Sequence, residues 1–314
     1  MTELSWEGGP IVSAGRPGYE GANIRTWVGF KHFLYLVENA VLGWFSEQGC
    51  PAGQLYHRYG LGLEIVDCSA LLPAVLDVDD LVTAEIQPVR PGRFAVRLAV
   101  SRGGSNVTVL RGKVTVALVR EKDAPGPLPE PAGLAPLIVP DSVAAGAGGQ
   151  AGAGDRQVPP GHEVRNELAV PGSGTFLWSW RAPYFYCHFS DRVQHSGYVR
   201  ALEEVVDRFL ADRGLSVAAM LTERGWIPVV SRVRVTLLAD AHMEEVIHTT
   251  FTVTDVMKST MFDGRMDCYV LRGRHLVHVA TASILHGYAL SRGDRAGQLA
   301  ELDEATVAAL RGAS

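Results

Sequence analysis

The pattern of apolar and polar positions divides the chain into two similar stretches on either side of a segment with little side chain to bury. In the first, His32-Phe33-Leu34-Tyr35 opens an apolar run over 36–45 that contains Ala40, Leu42 and Trp44 and stops near Gly49. In the second, His195-Ser196-Gly197-Tyr198 opens a run over 199–210, where Leu202, Val205, Val206 and Phe209 recur at helical spacing up to Gly214. Aligning the two His-x-x-Tyr starts gives an offset of 195 − 32 = 163 residues. Strand-like alternation follows each predicted helix, over 82–89, 94–100 and 107–119 in the first stretch and over 232–238, 246–256, 266–271 and 275–285 in the second. Val109-Leu110-Arg111-Gly112 even recurs as Val270-Leu271-Arg272-Gly273.

A long helix followed by several strands, with no helices between them, predicts an α+β fold with an antiparallel sheet. The first helix is apolar nearly all round, with Phe33, Leu34, Val37, Val41, Trp44 and Phe45. It must be enclosed on most sides, as a sheet curved around a central helix would do. The predicted organisation is an N-terminal unit over 1–120, a Pro/Gly/Ala-rich linker over 121–167 and a C-terminal unit over 168–314. The run at 146–154 is low in complexity and lacks the Lys-Ser/Thr of a nucleotide loop.

Composition narrows the classes. With 314 residues, 47% hydrophobic and 20% charged, the chain can bury a core and is no disordered segment. The net charge of −5, without a basic run, argues against a nucleic-acid or anionic-membrane partner. Residues 1–7 show no signal-peptide pattern and no apolar run approaches a membrane span of ~18 residues. Cys50, Cys68, Cys187 and Cys268 are widely spaced without a CxxC pair, as expected of reduced thiols in a cytoplasmic protein.

The stretch His195-Ser196-Gly197-Tyr198-Val199-Arg200-Ala201-Leu202-Glu203-Glu204, with Glu223 to Val235 and Val253 to Thr260 downstream, resembles the hotdog-fold thioesterases related to 4-hydroxybenzoyl-CoA thioesterase. The resemblance covers about residues 184–290; over 22–120 it is weaker and carried by the duplication. It implies a double hotdog, two units each with a long central helix wrapped by an antiparallel sheet, with acyl-thioester sites between them near the helix starts. The implied function is hydrolysis of an acyl-CoA or acyl-carrier-protein thioester, in polyketide or fatty acyl metabolism. A non-hydrolytic dehydratase or cyclase on a carrier-bound chain and an inactive acyl-binding protein are the alternatives.

Thioester hydrolysis needs a nucleophile or base and donors aimed at the carbonyl oxygen. The turn at 194–198 offers the free N–H groups of a helix start, with Ser196 and Gly197 at the substrate. Asp191, His195, Tyr198 and Glu203 are the candidate catalytic residues, and Arg232 and Arg234, on one strand face, are candidates for a CoA or carrier phosphate. Asp191 also reads as a helix cap, as Asp often stands near helix starts; the resemblance puts the catalytic Asp of many relatives seven residues before the His, a position held here by His188. At the offset of 163, Val28 stands opposite Asp191, Ala40 opposite Glu203 and Val41 opposite Glu204, so the carboxylates belong only to the second unit and the first is degenerate. No cofactor and no metal is called for. The fused pair is expected as a monomer with an internal pseudo-dimer or as a homo-oligomer.

Overall fold

A computed structural model describes residues 6, 9–121, 124, 126–141, 152, 154–189 and 191–312. Helix α1 spans Phe30–Glu47, α2 Ala52–Tyr59 and α3 His195–Asp212. The first-half strands are β1 Ile11–Gly15, β2 Leu61–Leu71, β3 Val82–Arg90, β4 Arg93–Arg102 and β5 Ser105–Arg120. Two short strands, β6 Ile138–Val139 and β7 Arg156–Gln157, precede those of the second half: β8 Phe176–Arg181, β9 Trp226–Leu237, β10 Val246–Met257, β11 Met261–Arg272 and β12 His275–Leu290.

Ten of these strands form one sheet in the order β1-β3-β4-β5-β2-β9-β12-β11-β10-β8, with β6 on β5 and β7 on β12. The order reads the same from either end, five strands of one half and then their five counterparts in reverse. All pairings but β5–β6 are antiparallel, so the fold is α+β, as the alternation predicts. The halves meet where β2 pairs with β9, and Asp67 accepts hydrogen bonds there from Arg234 Nε at 2.8 Å and Thr236 Oγ1 at 2.6 Å.

Helices α1 and α3 pack against each other and against the sheet. Each buries a stripe at 3.6-residue spacing: Phe33, Val37, Val41, Trp44 and Phe45 in α1, Leu202, Val205, Phe209 and Leu210 in α3. Both end alike. Gly49 and Gly214 take left-handed φ of 74° and 72°, and the next residue's N–H, of Cys50 or Leu215, reaches back to the carbonyl of Phe45 or Leu210 at 2.8 Å. Glycine bears that conformation without a Cβ clash, which is why the apolar runs stop there.

The backbone corrects the alignment of the halves. Helix starts at 30 and 195, helix ends at 47 and 212, the bridges Ala22↔Val28 and Cys187↔Val193, and the bridges Trp27↔Asp77 and Arg192↔His242 all differ by 165. The kinks of β2 and β9, at Val66 and Ser231, share that spacing. The offset is therefore 165, not 163: His195 corresponds to Phe30, and Glu203 to Glu38 rather than Ala40. The repeated Val-Leu-Arg-Gly is not an equivalent site, since 109–112 lie inside β5 whereas Gly273 is the turn between β11 and β12. The aromatic run at Tyr184–Tyr186, strand-like in sequence, forms a 3-10 turn behind Pro183.

The segment 121–167 contributes more than a tether. Leu134, Leu137 and Val158 are buried, and Arg274 donates to the Val158 carbonyl at 2.6 Å. Most of the Ala/Gly-rich run at 145–154 lies outside the described residues. No helix among the described residues is long and apolar enough to cross a membrane.

Candidate active site

A cavity of about 740 Å³ opens between the halves, a volume within the usual range for small-molecule sites. Its floor is apolar, with Val206 and Leu210 from α3, Ile227 and Val229 from β9, and Met261 and Ile284 from the neighbouring strands. Polar groups from both halves also line it: Asn23 and Lys31 from the first, Glu203 and Arg200 from the second. Glu203, Val206, Asp207 and Leu210 stand at i, i+3, i+4 and i+7, so one face of α3 carries Glu203 at one end, then Val206 and Asp207, and Leu210 about 10 Å along the axis.

Glu203 Oε2 lies 2.8 Å from Lys31 Nζ, and both side chains are partly buried. This ion pair fixes the direction of the carboxylate. Gly29 caps α1, and a Cβ placed on it would lie 2.5 Å from Asn23 Nδ2 and 3.2 Å from Glu203 Oε1. Its backbone φ of −65° suits any residue, so the glycine is there for space. The carboxylate, a side-chain amide and the free N–H groups of the first turn of α1 thus converge at one place. Arg200 completes that wall, its guanidinium 5.4 Å from the Tyr35 ring and 5.6 Å from that of Tyr186.

A second cavity, of about 100 Å³, is the first one's twin. Each of its lining residues, Glu38, Val41, Leu42, Ala52, Leu63, Ile65, His188, Phe189, Gln194 and His195, has its counterpart 165 positions away in the lining of the large cavity. Charged side chains close it. His188 Nε2 contacts Glu64 Oε2 at 2.7 Å, and Arg192 donates to Glu64 at 3.1 Å and to Glu121 at 3.2 Å, with both carboxylates nearly inaccessible. Burial lowers the basicity of His188, but the charge and hydrogen bond of Glu64 outweigh it and leave the pKa above that of a free histidine. Glu38 is shifted up, mainly because burial penalises its charge.

Residues 176–310, rather less than half of the chain, match the Thioesterase-like superfamily. Solved structures resemble almost the whole chain: a protein assigned as an oleoyl thioesterase from Lactobacillus plantarum, at 10% identity and TM-score 0.56 over 90% of this chain and 98% of that one; the 12:0-ACP thioesterase from Umbellularia californica, at 9% and 0.56 over 89% and 94%; and an acyl-ACP thioesterase from Bacteroides thetaiotaomicron, at 10% and 0.52 over 90% and 100%. At such identities the likeness is one of fold. No curated protein matches the chain.

Within the matched segment the sequence-predicted residues are spread out. Glu203 lines the large cavity and His195 the small one. Asp191 lines neither; its side chain is 61% exposed and sits 3.2 Å from His242 Nδ1. His195 Nε2 contacts the Val235 carbonyl at 3.2 Å, and burial lowers its pKa to about 4, so the ring is neutral and acts as a donor inside the fold. Tyr198 is buried with its hydroxyl unpartnered, and burial holds its proton. Ser196 and Gly197 are buried in the first turn of α3, Gly197 against Tyr186 and Val193. Arg232 and Arg234 are exposed and pair with Asp263 at 3.0 Å and Asp67 at 2.8 Å.

Asn23, Gly29, Lys31 and Glu38 escaped the sequence reading. The signal for Glu38 was present: sliding the halves by two residues sets it opposite Glu203.

Proposed function

We propose that the protein is an acyl-thioester hydrolase of double-hotdog architecture, acting on an acyl-CoA or acyl-carrier-protein substrate, with its working site in the large cavity. The carrying observation is the juxtaposition of Glu203 with the start of α1 at one end of an apolar cavity. In this reading the acyl chain lies along Val206 and Leu210, and the thioester carbonyl rests against the first turn of α1 and Asn23. Glu203 takes a proton from water as it adds to the carbonyl carbon. The N–H groups of α1 and the Asn23 amide stabilise the oxyanion, and collapse of the tetrahedral intermediate releases the thiol and the free acid.

Glu203 is the carboxylate we assign to this role; Asp191 is too exposed to share the cavity. His195 and Tyr198 support α3 from within, and Arg232 and Arg234 brace the sheet. The site draws on both halves, so a single chain suffices for it. The buried thiols Cys50, Cys68 and Cys268 suit a reducing cytoplasm. A second reading, acyl binding without turnover, is favoured by the Lys31 ion pair, which ties up one face of the base.

The test is thiol release from short, medium, long and aromatic acyl-CoA and acyl-carrier thioesters. Turnover on one class supports the hydrolase. Saturable binding without thiol release would replace it by the binding reading.

A further inference from the structure

Two polar residues interrupt the otherwise apolar sheet wall of the large cavity. His286, on β12, lines it, is 4% exposed, and neither ring nitrogen has a hydrogen-bond partner; Nδ1 is fully enclosed. Its neighbours are rings, Phe262 with centroids 4.9 Å away and Tyr288 at 5.7 Å. Ser231, at the kink of β9 beside the Val230↔His286 pair, also lines the cavity, and its hydroxyl reaches only the Met261 sulfur, at 3.7 Å.

The fold does not ask for either residue. By strand register, Ile65↔Val116 in the first half corresponds to Val230↔His286 in the second, so the counterpart of His286 is Val116. The counterpart of Ser231 is Val66. Both valines are buried, and the twin cavity lined by Ile65 is small. At these two positions polar side chains therefore stand where the duplicated wall carries valine, on the side that has room for a ligand. An imidazole whose enclosed Nδ1 has no partner is costly to bury, which makes it a poor choice for a cavity that takes only hydrocarbon.

We infer that the acyl chain held in this cavity carries an oxygen, as a hydroxyl or oxo group beyond the thioester carbon, that hydrogen-bonds His286, with Ser231 beside it. The inference rests on the acyl-thioester reading of the cavity. Burial lowers the pKa of His286 to about 4, so at neutral pH the ring offers one N–H donor and one acceptor. That pair matches an alcohol or a ketone and gives no charge for a second carboxylate.

The test is a titration with non-hydrolysable thioether analogues of S-acyl-pantetheine, followed by calorimetry. One series is saturated, and the other bears a single hydroxyl or oxo group at successive positions of the same chains. At least one oxygenated analogue should bind roughly 10-fold tighter than its saturated counterpart, the scale of one buried hydrogen bond. His286→Phe should erase that preference, and His286→Gln should keep part of it. Equal or tighter binding of every saturated chain overturns the inference without any variant, and so does a preference that survives in His286→Phe. Absence of binding by all analogues overturns the acyl reading together with it. Binding with the predicted preference but no thiol release supports the inference and counts only against hydrolysis.

Discussion

Glu38 and Glu203 occupy the same place on two equivalent helices, 165 residues apart, and face opposite circumstances. Glu203 shares a 740 Å³ cavity and is paired with Lys31 at 2.8 Å. Glu38 lines a 100 Å³ remnant, beside a His188–Glu64–Arg192–Glu121 cluster whose Glu64 stands where Val229 lines the large cavity. The difference traces to single exchanges, of which Val229 for Glu64 is the plainest: the open cavity has a valine on β9 where the closed one has a buried carboxylate on β2.

Replacing Glu203 by Gln keeps the shape of the site and removes the base. Thiol release should fall by about 100-fold or more, the scale of a general base, with the melting temperature little changed. Asp191→Asn is the companion measurement, and its rate should stay within about two-fold of wild type because the side chain is exposed and outside the cavity.

Gly29→Ala tests the convergence at the start of α1. The new methyl would meet Asn23 Nδ2 at 2.5 Å and crowd Glu203 at 3.2 Å. Hydrolysis should drop by roughly 10-fold or more while circular dichroism and unfolding midpoint remain close to wild type, since the backbone there accepts any residue and misplacement alone is costly to rate.

Tyr198→Phe should leave activity intact. The hydroxyl is buried without a partner, so its removal should be neutral to stabilising in urea unfolding. Lost turnover with unchanged stability would instead put Tyr198 in the chemistry.

Stability should depend on pH at both ends of the range. His195 and His286 are held near pKa 4 by burial, so the unfolded chain binds more protons than the folded one between about pH 6.5 and 4. Their contribution is complete above that window and is lost as pH falls through it. For Glu38, raised from 4.5, the folded state binds the extra proton, and stability declines as pH rises from 4.5 to its folded value. Glu38→Gln should therefore unfold at higher urea than wild type at pH 7.5, with the gain shrinking at pH 4.5.

The long helices, their glycine stops and the strands β3 to β5 and β10 to β12 were legible because each has one buried face and a clear period, whereas the short edge strands β1 and β8 were not. Strand β2 was not: Leu61 to Val66 are all buried, so Leu-Gly-Leu-Glu-Ile-Val shows no alternation. The register of the halves was misread because the His-x-x-Tyr pair at 32–35 and 195–198 imitates homology. His32 is a buried ring beside Tyr35, whereas His195 donates to the sheet. Backbone bridges and strand kinks carry the true spacing, and neither has a signature in side-chain type. Glu203 was legible as a carboxylate on the right helix; its partners Asn23, Gly29 and Lys31 come from a stretch 180 to 172 residues earlier, which only the closed sheet brings near.

The β2–β9 seam has one more implication. In a symmetric pair of separate subunits every substitution arrives twice, and a site cannot be plugged in one without being plugged in the other. Here the two sides of the seam are inherited as separate stretches of a single gene product. A carboxylate at position 64 and a valine at 229, or a valine at 116 and a histidine at 286, can be selected independently. One side is then free to act as rigid scaffold while its twin is tailored to a ligand.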